Sequence, residues 1–357
     1  MKIIHTADLH FDSKMETHLT SEQARERKLE IRLSFKRLVD YARENGVDVV
    51  LICGDMFDSA NVLASTKNFI LDTIRENAGI DFLLLKGNHD EFMFNRDECP
   101  QNLKLFENDF TYFNYGEVCI AGMNLNRTYL PNNFDLLRFN PNQLNILCLH
   151  GQVANAFSSN VDYCVPLNAL ANKGIDYVAL GHIHNFASGF IDNRAVYAYS
   201  GILEPRGFDE CGEKGFIEIE VANGRLNYKF IPFSKRQFHS DEVNISNAET
   251  TNEVISLIGD VVRQFKSGDF VRVILCGDRK AGLDMDLHYI EKFLKEQFYF
   301  AMVVDATVAQ IDYAKLSTDI SLKGEFIRTV LAESGLSDME KQKIIDLGIK
   351  ALTRGEV

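Results

Sequence analysis

An α/β fold with a mixed sheet system is predicted for this 357-residue chain by three observations. Five apolar runs of four to eight residues each break off at a glycine or small residue and are followed at once by Asp, Asn or His. Intervals with helical spacing separate the first three runs, giving strand, helix, strand, helix, strand. Further on, "FIEIEVANGRLNYKFIPF" alternates and turns at Asn223 and Gly224, a hairpin signal, so antiparallel strands join the parallel ones.

Taken in order, "KIIHTADLH" ends on Asp8 and His10. Residues 21–45 carry Leu29, Leu33, Val39 and Ala42 near helical spacing among charged residues, with Gly46 placed where a helix stops. "VDVVLICGDMFD" follows with Asp55 and Asp58, then a second helical interval over 61–77. "FLLLKGNHD" brings Asn88, His89 and Asp90, and "LNILCLHG" brings His150. After a short helical stretch over 166–173, "YVALGHIHNF" sets His182 and His184 one residue apart. Each polar group sits just past the carboxyl end of a buried strand, the edge of an open α/β sheet where ligands bind. The last third adds "DFVRVILCGD", "MDLHYIEKFLKEQF" and "FAMVVDATV" as strand, helix, strand. Two amphipathic helices then lie around Gly335 and Ser337, with Phe326, Val330, Ile344, Ile345, Leu347 and Ile349 as their buried faces.

Composition narrows the class. At 46% hydrophobic residues the chain can bury one sizeable domain and one or two smaller ones. Neither a signal peptide nor a bilayer-spanning apolar stretch is evident, so a cytoplasmic address and no membrane partner are expected. The 7 cysteines form no CxxC pair, which excludes a disulfide framework and a thiolate zinc site. A net charge of -13 opposes unaided capture of a polyanion, because nucleic-acid affinity rests on Lys and Arg against phosphate.

The converging groups have a definite chemistry. Asp8, His10, Asp55, Asn88, His150, His182 and His184 offer carboxylate, imidazole and amide oxygen without thiolate, a set suited to Mn, Fe or Zn rather than to an all-oxygen cage. Seven ligands are too many for one ion and natural for two that share a bridging carboxylate. Two such ions activate a water and polarise a phosphoryl oxygen, so phosphate ester hydrolysis is the reaction they suit best. Alternate residues of an extended segment point opposite ways, which lets His182 and His184 serve different ions.

The motifs DxH, GDxxD, GNHD, a lone His and GHxH, in that order, resemble the calcineurin-like metallophosphoesterase superfamily. That resemblance implies a calcineurin-like metallophosphoesterase fold, a mixed β-sandwich flanked by helices. It places Asp8, His10, Asp55 and His184 on a first metal and Asp55, Asn88, His150 and His182 on a second, with Asp55 bridging. His89 would stabilise the transition state or protonate the leaving oxygen, and Asp58 would orient it. Some repair nucleases of the superfamily carry His at the Asp58 position; this chain follows the bacterial pattern instead. Asp90 has two readings of equal weight, a catalytic carboxylate and a cap for loop amides.

"HTADLHFDS", "GDMFDSA", "GNHDE" and "YSGILEPRGFDECGEKGFIEIEV" further resemble the SbcD family of DNA repair exonuclease subunits, especially its YhaO-like branch. The implied layout is a nuclease domain over 1–235, an α/β capping domain over 240–310 and a helical docking segment over 311–357. Implied too are manganese as the metal, with iron or zinc as alternatives, DNA as substrate, an SbcC-type coiled-coil ATPase as partner, a homodimer as a further assembly, and Arg206 as a phosphate contact. The carboxyl-terminal helices have an equally weighted structural reading, packing on the chain's own cap. A metallophosphatase for nucleotide, phosphoprotein or lipid-linked esters is the alternative function. A non-catalytic scaffold is disfavoured by retention of every ligand and of His89. His18, His239 and His288 lie outside the motifs and read as surface residues, and His5 as a core or supporting side chain.

Overall fold

The computed structural model describes residues 1–15, 19–59, 61–90, 94–124, 129–310, 318 and 320–354. The chain forms two compact units, Met1–His239 and Ser240–Val357. Strands are numbered in chain order.

In the first unit, one six-stranded sheet among the described residues runs in the order β14 (Arg225–Pro232), β13 (Gly215–Ala222), β1 (Lys2–Thr6), β2 (Val49–Cys53), β3 (Asp81–Leu85) and β4 (Leu103–Leu105). β1 to β4 are parallel, while β13 and β14 form the antiparallel hairpin expected around Asn223 and Gly224, both at positive φ. The other sheet runs β11 (Ala187–Phe190), β12 (Val196–Tyr199), β10 (Tyr177–Gly181), β7 (Leu144–His150), β6 (Val118–Gly122) and β5 (Thr111–Tyr115), parallel except at its two edges. A short parallel pair, β8 (Gln152–Ala154) with β9 (Cys164–Pro166), flanks it.

β2 is wholly apolar because it is covered on both faces. Val50 and Ile52 pack under α1 (Ser21–Glu44) and α2 (Ala64–Arg75) with Phe35, Leu38 and Ile74. Val49, Leu51 and Cys53 face the opposite way and meet Ile146, Cys148 and Ala179 of the second sheet. The outer face of that sheet, with Leu147, Leu149, Val178 and Leu180, is closed by Phe134 and by Leu170 of α3 (Leu167–Leu170). The result is a β-sandwich between helical layers.

α1 corrects one expectation. Thr20 and Gln23 form its capping box and Asn45 ends it, but Leu29 and Leu33 are 53% and 44% exposed. The buried stripe is Arg27, Glu30, Ile31, Ser34, Phe35, Leu38, Val39 and Ala42. An ion cluster displaces the apolar pattern: Glu30 accepts from Lys235 at 2.6 Å and Arg236 at 2.9 Å and pairs with Arg27, whose guanidinium also donates to the Pro205 carbonyl at 2.8 Å.

In the second unit, β15 (Phe238–Asn244, of which Ser240 onward belongs to this unit), β16 (Phe270–Cys276) and β18 (Phe300–Asp305) form a sheet, joined by the short pair β17 (Asp278–Arg279) with β19 (Val308–Ala309). β16 and β18 are parallel, and α4 (Thr251–Val262) and α5 (Leu287–Lys295) bury Val254, Ile258, Ile290 and Leu294 with their strands. α6 (Leu322–Ala332) and α7 (Asp338–Arg354) pack on each other through Ile327, Val330 and Ile345. Ile344 and Leu347, expected on the buried face, are 38% and 69% exposed, because a two-helix pair covers only one stripe of each partner. No helix among the described residues is long and apolar enough to cross a membrane.

Candidate metal centre

Five parallel strands, β1, β2 and β3 of one sheet and β7 and β10 of the other, end at the same edge of the sandwich. Their continuations interlock. The amide of Asp8 donates to the Gly54 carbonyl and that of His10 to the Asp55 carbonyl, each at 3.0 Å, and the Gly151 amide reaches the Gly181 carbonyl at 3.2 Å. Asp8, His10, Asp55 and His182 all have positive φ, between 44° and 100°. Non-glycine residues are rarely found there, and such conformations persist where the surroundings hold them for function. Gly54, at φ 89°, lets the chains approach: a Cβ there would lie 2.2 Å from His150 Nδ1.

The side chains gather in two groups. In the first are Asp8, His10 and His184, in the second Asp55, His150 and His182. His10 Nε2 and His184 Nε2 face each other at 3.2 Å. Asn88 Oδ1 lies 2.9 Å from His150 Nε2 and 3.0 Å from His182 Nδ1. Asp55 Oδ2 stands between the groups, 3.3 Å from His150 Nε2 and 3.9 Å from His10 Nε2. His182 and His184 do go to different groups, yet the kink at His182, φ 100°, separates them rather than regular strand alternation.

Charge is concentrated here out of water. Burial pushes Asp8 up to about 7, opposed by the nearby His150. Burial likewise lowers His10 and His182 to about 4 each. For Asp55 burial is outweighed by the hydrogen bond and charge of His150, which hold its carboxyl well below the usual range. His150 itself, despite burial, is raised to about 9 by Asp55 and Asp8. His150 Nε2 and Asp55 Oδ2, 3.3 Å apart out of water, stand where a cation can take the place of a proton between them.

The remaining expected residues take varied positions. The ring of His89 lies edge-on to that of His10, centroids 5.2 Å apart, and its amide donates to Asp55 Oδ1 at 2.8 Å. Asp58 Oδ1 approaches His10 Nδ1 at 3.3 Å and accepts from Arg206 at 3.0 Å; its nearest imidazole partner is thus His10. Arg206 is engaged with carboxylates, donating to Asp58 and to Glu210 Oε1 at 2.8 and 3.1 Å. Asp90 is fully buried and accepts from the amides of Phe57, Gly87 and Met56 at 2.9, 3.0 and 3.3 Å, which is the capping arrangement. His5 is a core residue, bonded to the Tyr177 hydroxyl at 2.9 Å and facing the Leu180 carbonyl at 3.1 Å, and burial lowers it to about 3. His239 and His288 join neither group, and His18 lies outside the described residues.

Three residues that the strand-end pattern does not single out complete the surroundings. Glu210 accepts from His184 Nδ1 at 2.7 Å. Lys214, 1% exposed, bonds Asn185 Oδ1 and the Cys211 carbonyl. The Tyr129 hydroxyl accepts from the His150 amide at 3.2 Å.

Imidazole nitrogens aimed at one another and at an amide oxygen, with a carboxylate between the groups, fit two divalent ions. No thiolate is within the set, and every donor is nitrogen or oxygen. The family model of calcineurin-like phosphoesterases matches residues 1–186, just over half of the chain. Over 296 residues, 78% of this chain and 72% of the relative, the sequence is 28% identical to the uncharacterized metallophosphoesterase YhaO of Bacillus subtilis (strain 168). It is 25% identical over 338 residues to the DNA double-strand break repair protein Mre11 of Saccharolobus solfataricus, covering 87% of this chain and 84% of that one. Against the SbcD component of the nuclease SbcCD from Escherichia coli (strain K12) the identity is 21% over 278 residues, 63% and 66% of the two chains. With the strand-end ligands, the sandwich and the family match in agreement, the chain belongs to the calcineurin-like phosphoesterases and is a metal-dependent hydrolase.

Proposed function

We propose that this chain is a two-metal phosphodiesterase that cleaves DNA, an SbcD-like exonuclease or endonuclease subunit working in repair with an SbcC-type ATPase. The observation that carries it is the convergence of two ligand groups on one strand edge, in a chain whose relatives include a double-strand break repair protein and a nuclease subunit. Asp8, His10 and His184 hold one ion, and Asn88, His150 and His182 the other, with Asp55 shared between them. Manganese is the metal proposed, on the resemblance to the SbcD family; the nitrogen and oxygen donors suit iron or zinc as well.

When bound, the two ions supply an activated water and charge stabilisation for a phosphoryl group. The protein's own part is positional and acid–base. Asp55 fixes the GNHD turn through the His89 amide, which leaves His89 beside the His10 ring and exposed to solvent, where it can give a proton to a leaving oxygen. Asp58 and Arg206 support this wall of the site. Residues 240–310 are assigned to capping the DNA, and the α6 and α7 pair to docking the ATPase.

With net charge -13, the isolated chain is expected to degrade DNA slowly and with steep salt dependence, and the ATPase to restore capture. Deletion after Leu322 should remove that rescue yet leave hydrolysis of a nitrophenyl phosphodiester intact. Nuclease assays with and without the ATPase check both. Efficient phosphomonoester cleavage, with DNA untouched under every partner, would replace this reading by the phosphatase one.

A further inference from the structure

The two groups of proposed ligands are supported differently from behind, and the difference lies in one loop. In the second group the outer nitrogen of His150, Nδ1, bonds a neutral group, the Cys53 carbonyl, at 2.8 Å, with the nearest carboxylate oxygen, Asp8 Oδ1, farther off at 4.0 Å. In the first group both imidazoles turn their outer nitrogens to carboxylates. His184 Nδ1 is 2.7 Å from Glu210 Oε1, and His10 Nδ1 is 3.3 Å from Asp58 Oδ1. One guanidinium joins these two acids: Arg206 donates to Glu210 through Nε and Nη2 and to Asp58 through Nη1, and its Nη2 also stands 3.3 Å from His184 Nδ1, farther than Glu210 Oε1 at 2.7 Å.

Glu210 is itself immobilised. It is 4% exposed, its second oxygen accepts from the Arg206 amide at 2.5 Å, and its own amide closes a turn onto the Gly207 carbonyl at 3.0 Å. The same loop grips the backbone around His184. The Ile202 amide donates to the His184 carbonyl at 3.3 Å, and buried Lys214 holds the side chain of Asn185.

We infer that Glu210 is a positioning residue for the Asp8–His10–His184 group, fixing the His184 ring with its proton on Nδ1 and tying it through Arg206 to Asp58 behind His10. The inference rests on the two-ion reading above. A carboxylate accepting from the far nitrogen of a ligating imidazole selects the tautomer, sets the ring orientation and raises ligand basicity; losing such a partner lowers metal affinity by about 10–100-fold. Arg206 thereby acts as a strut between two acids, a task its planar fork suits better than a lysine would.

The test is manganese titration by calorimetry of the full chain and of Glu210→Gln, with thermal unfolding of both metal-free proteins. One ion is expected to weaken by about 10–100-fold while the other is held as in the wild type; loss of the buried Glu210–Arg206 pair also lowers the melting temperature of the metal-free variant, which the unfolding curves read separately. Wild-type affinity for both ions in the variant, or equal weakening of both, would overturn the inference. A measurement on the wild type guards against a variant that fails to fold. With zinc bound as a diamagnetic probe, nitrogen NMR of labelled histidines should show the His184 proton on Nδ1, and a proton on Nε2 would overturn it equally. A wild-type chain that takes up fewer than two ions would instead sink the two-ion reading itself.

Discussion

At the scale of single residues the proposed centre separates holding a metal from doing chemistry, and two substitutions separate them in turn. Asp55 is 1% exposed and has an oxygen within 4 Å of an imidazole in each group, so Asp55→Ala should lose both ions and all activity. Metal analysis checks it, and full occupancy in the variant would remove the bridging assignment. His89 is in neither group, so His89→Ala should retain both ions and lose about 10²-fold in rate, the usual worth of a positioned acid. Near-normal turnover with metals intact would end that role. The residues named from the strand-end pattern all reach one edge, because side chains just past parallel strand ends are placed by the strands themselves. What lay beyond the pattern were partners brought in from afar. Glu210 lies 26 residues from His184, and nothing local in "RGFDECGEK" says which side chain its carboxylate will meet.

Whole elements show where periodicity suffices and where it does not. β2 is legible as a doubly covered strand because every residue in it is apolar. α1 is legible as a helix, but its inward face is not, since Ile31, Phe35 and Leu38 compete with Leu29 and Leu33 as stripes of equal spacing. Burial of Arg27 and Glu30 decides between them, through partners 178 residues and more away. That cluster has a pH signature. Burial opposes ionisation of Glu30, but Lys235, Arg27 and Arg236 outweigh it and hold its carboxyl below the ordinary value of 4.5. A depressed carboxyl contributes stability above its unfolded pKa and loses it as pH falls through the folded value. Glu30→Gln should therefore unfold more easily at neutral pH, by about 3–5 kcal/mol as for a broken buried pair, and show a flatter acid limb below pH 4.5. Denaturant titrations at several pH values check it; an unchanged acid limb would assign that limb to other carboxylates.

On the scale of the whole molecule, the two compact units divide at His239 and Ser240. The hairpin, the strand–helix–strand of the last third and the helical pair were all legible from pattern, whereas the stacking of two sheets was not, since no local signal says which faces meet. That stacking has a further consequence. Three of the strands carrying proposed ligands belong to one sheet and two to the other, so a bound ion can satisfy its donors only while the sheets stay closed. Metal then acts as a rivet across the seam. Each ion present at 100 times its dissociation constant should add about 2.7 kcal/mol to unfolding, and chelation should lower the melting temperature of the first unit selectively. Differential scanning calorimetry with and without chelator reads this; an unaltered transition would mean the ions bind outside the seam. A chain starved of metal opens more often and meets proteases in that state, so its lifetime in a cell becomes a record of how well the cell is supplied with the ion.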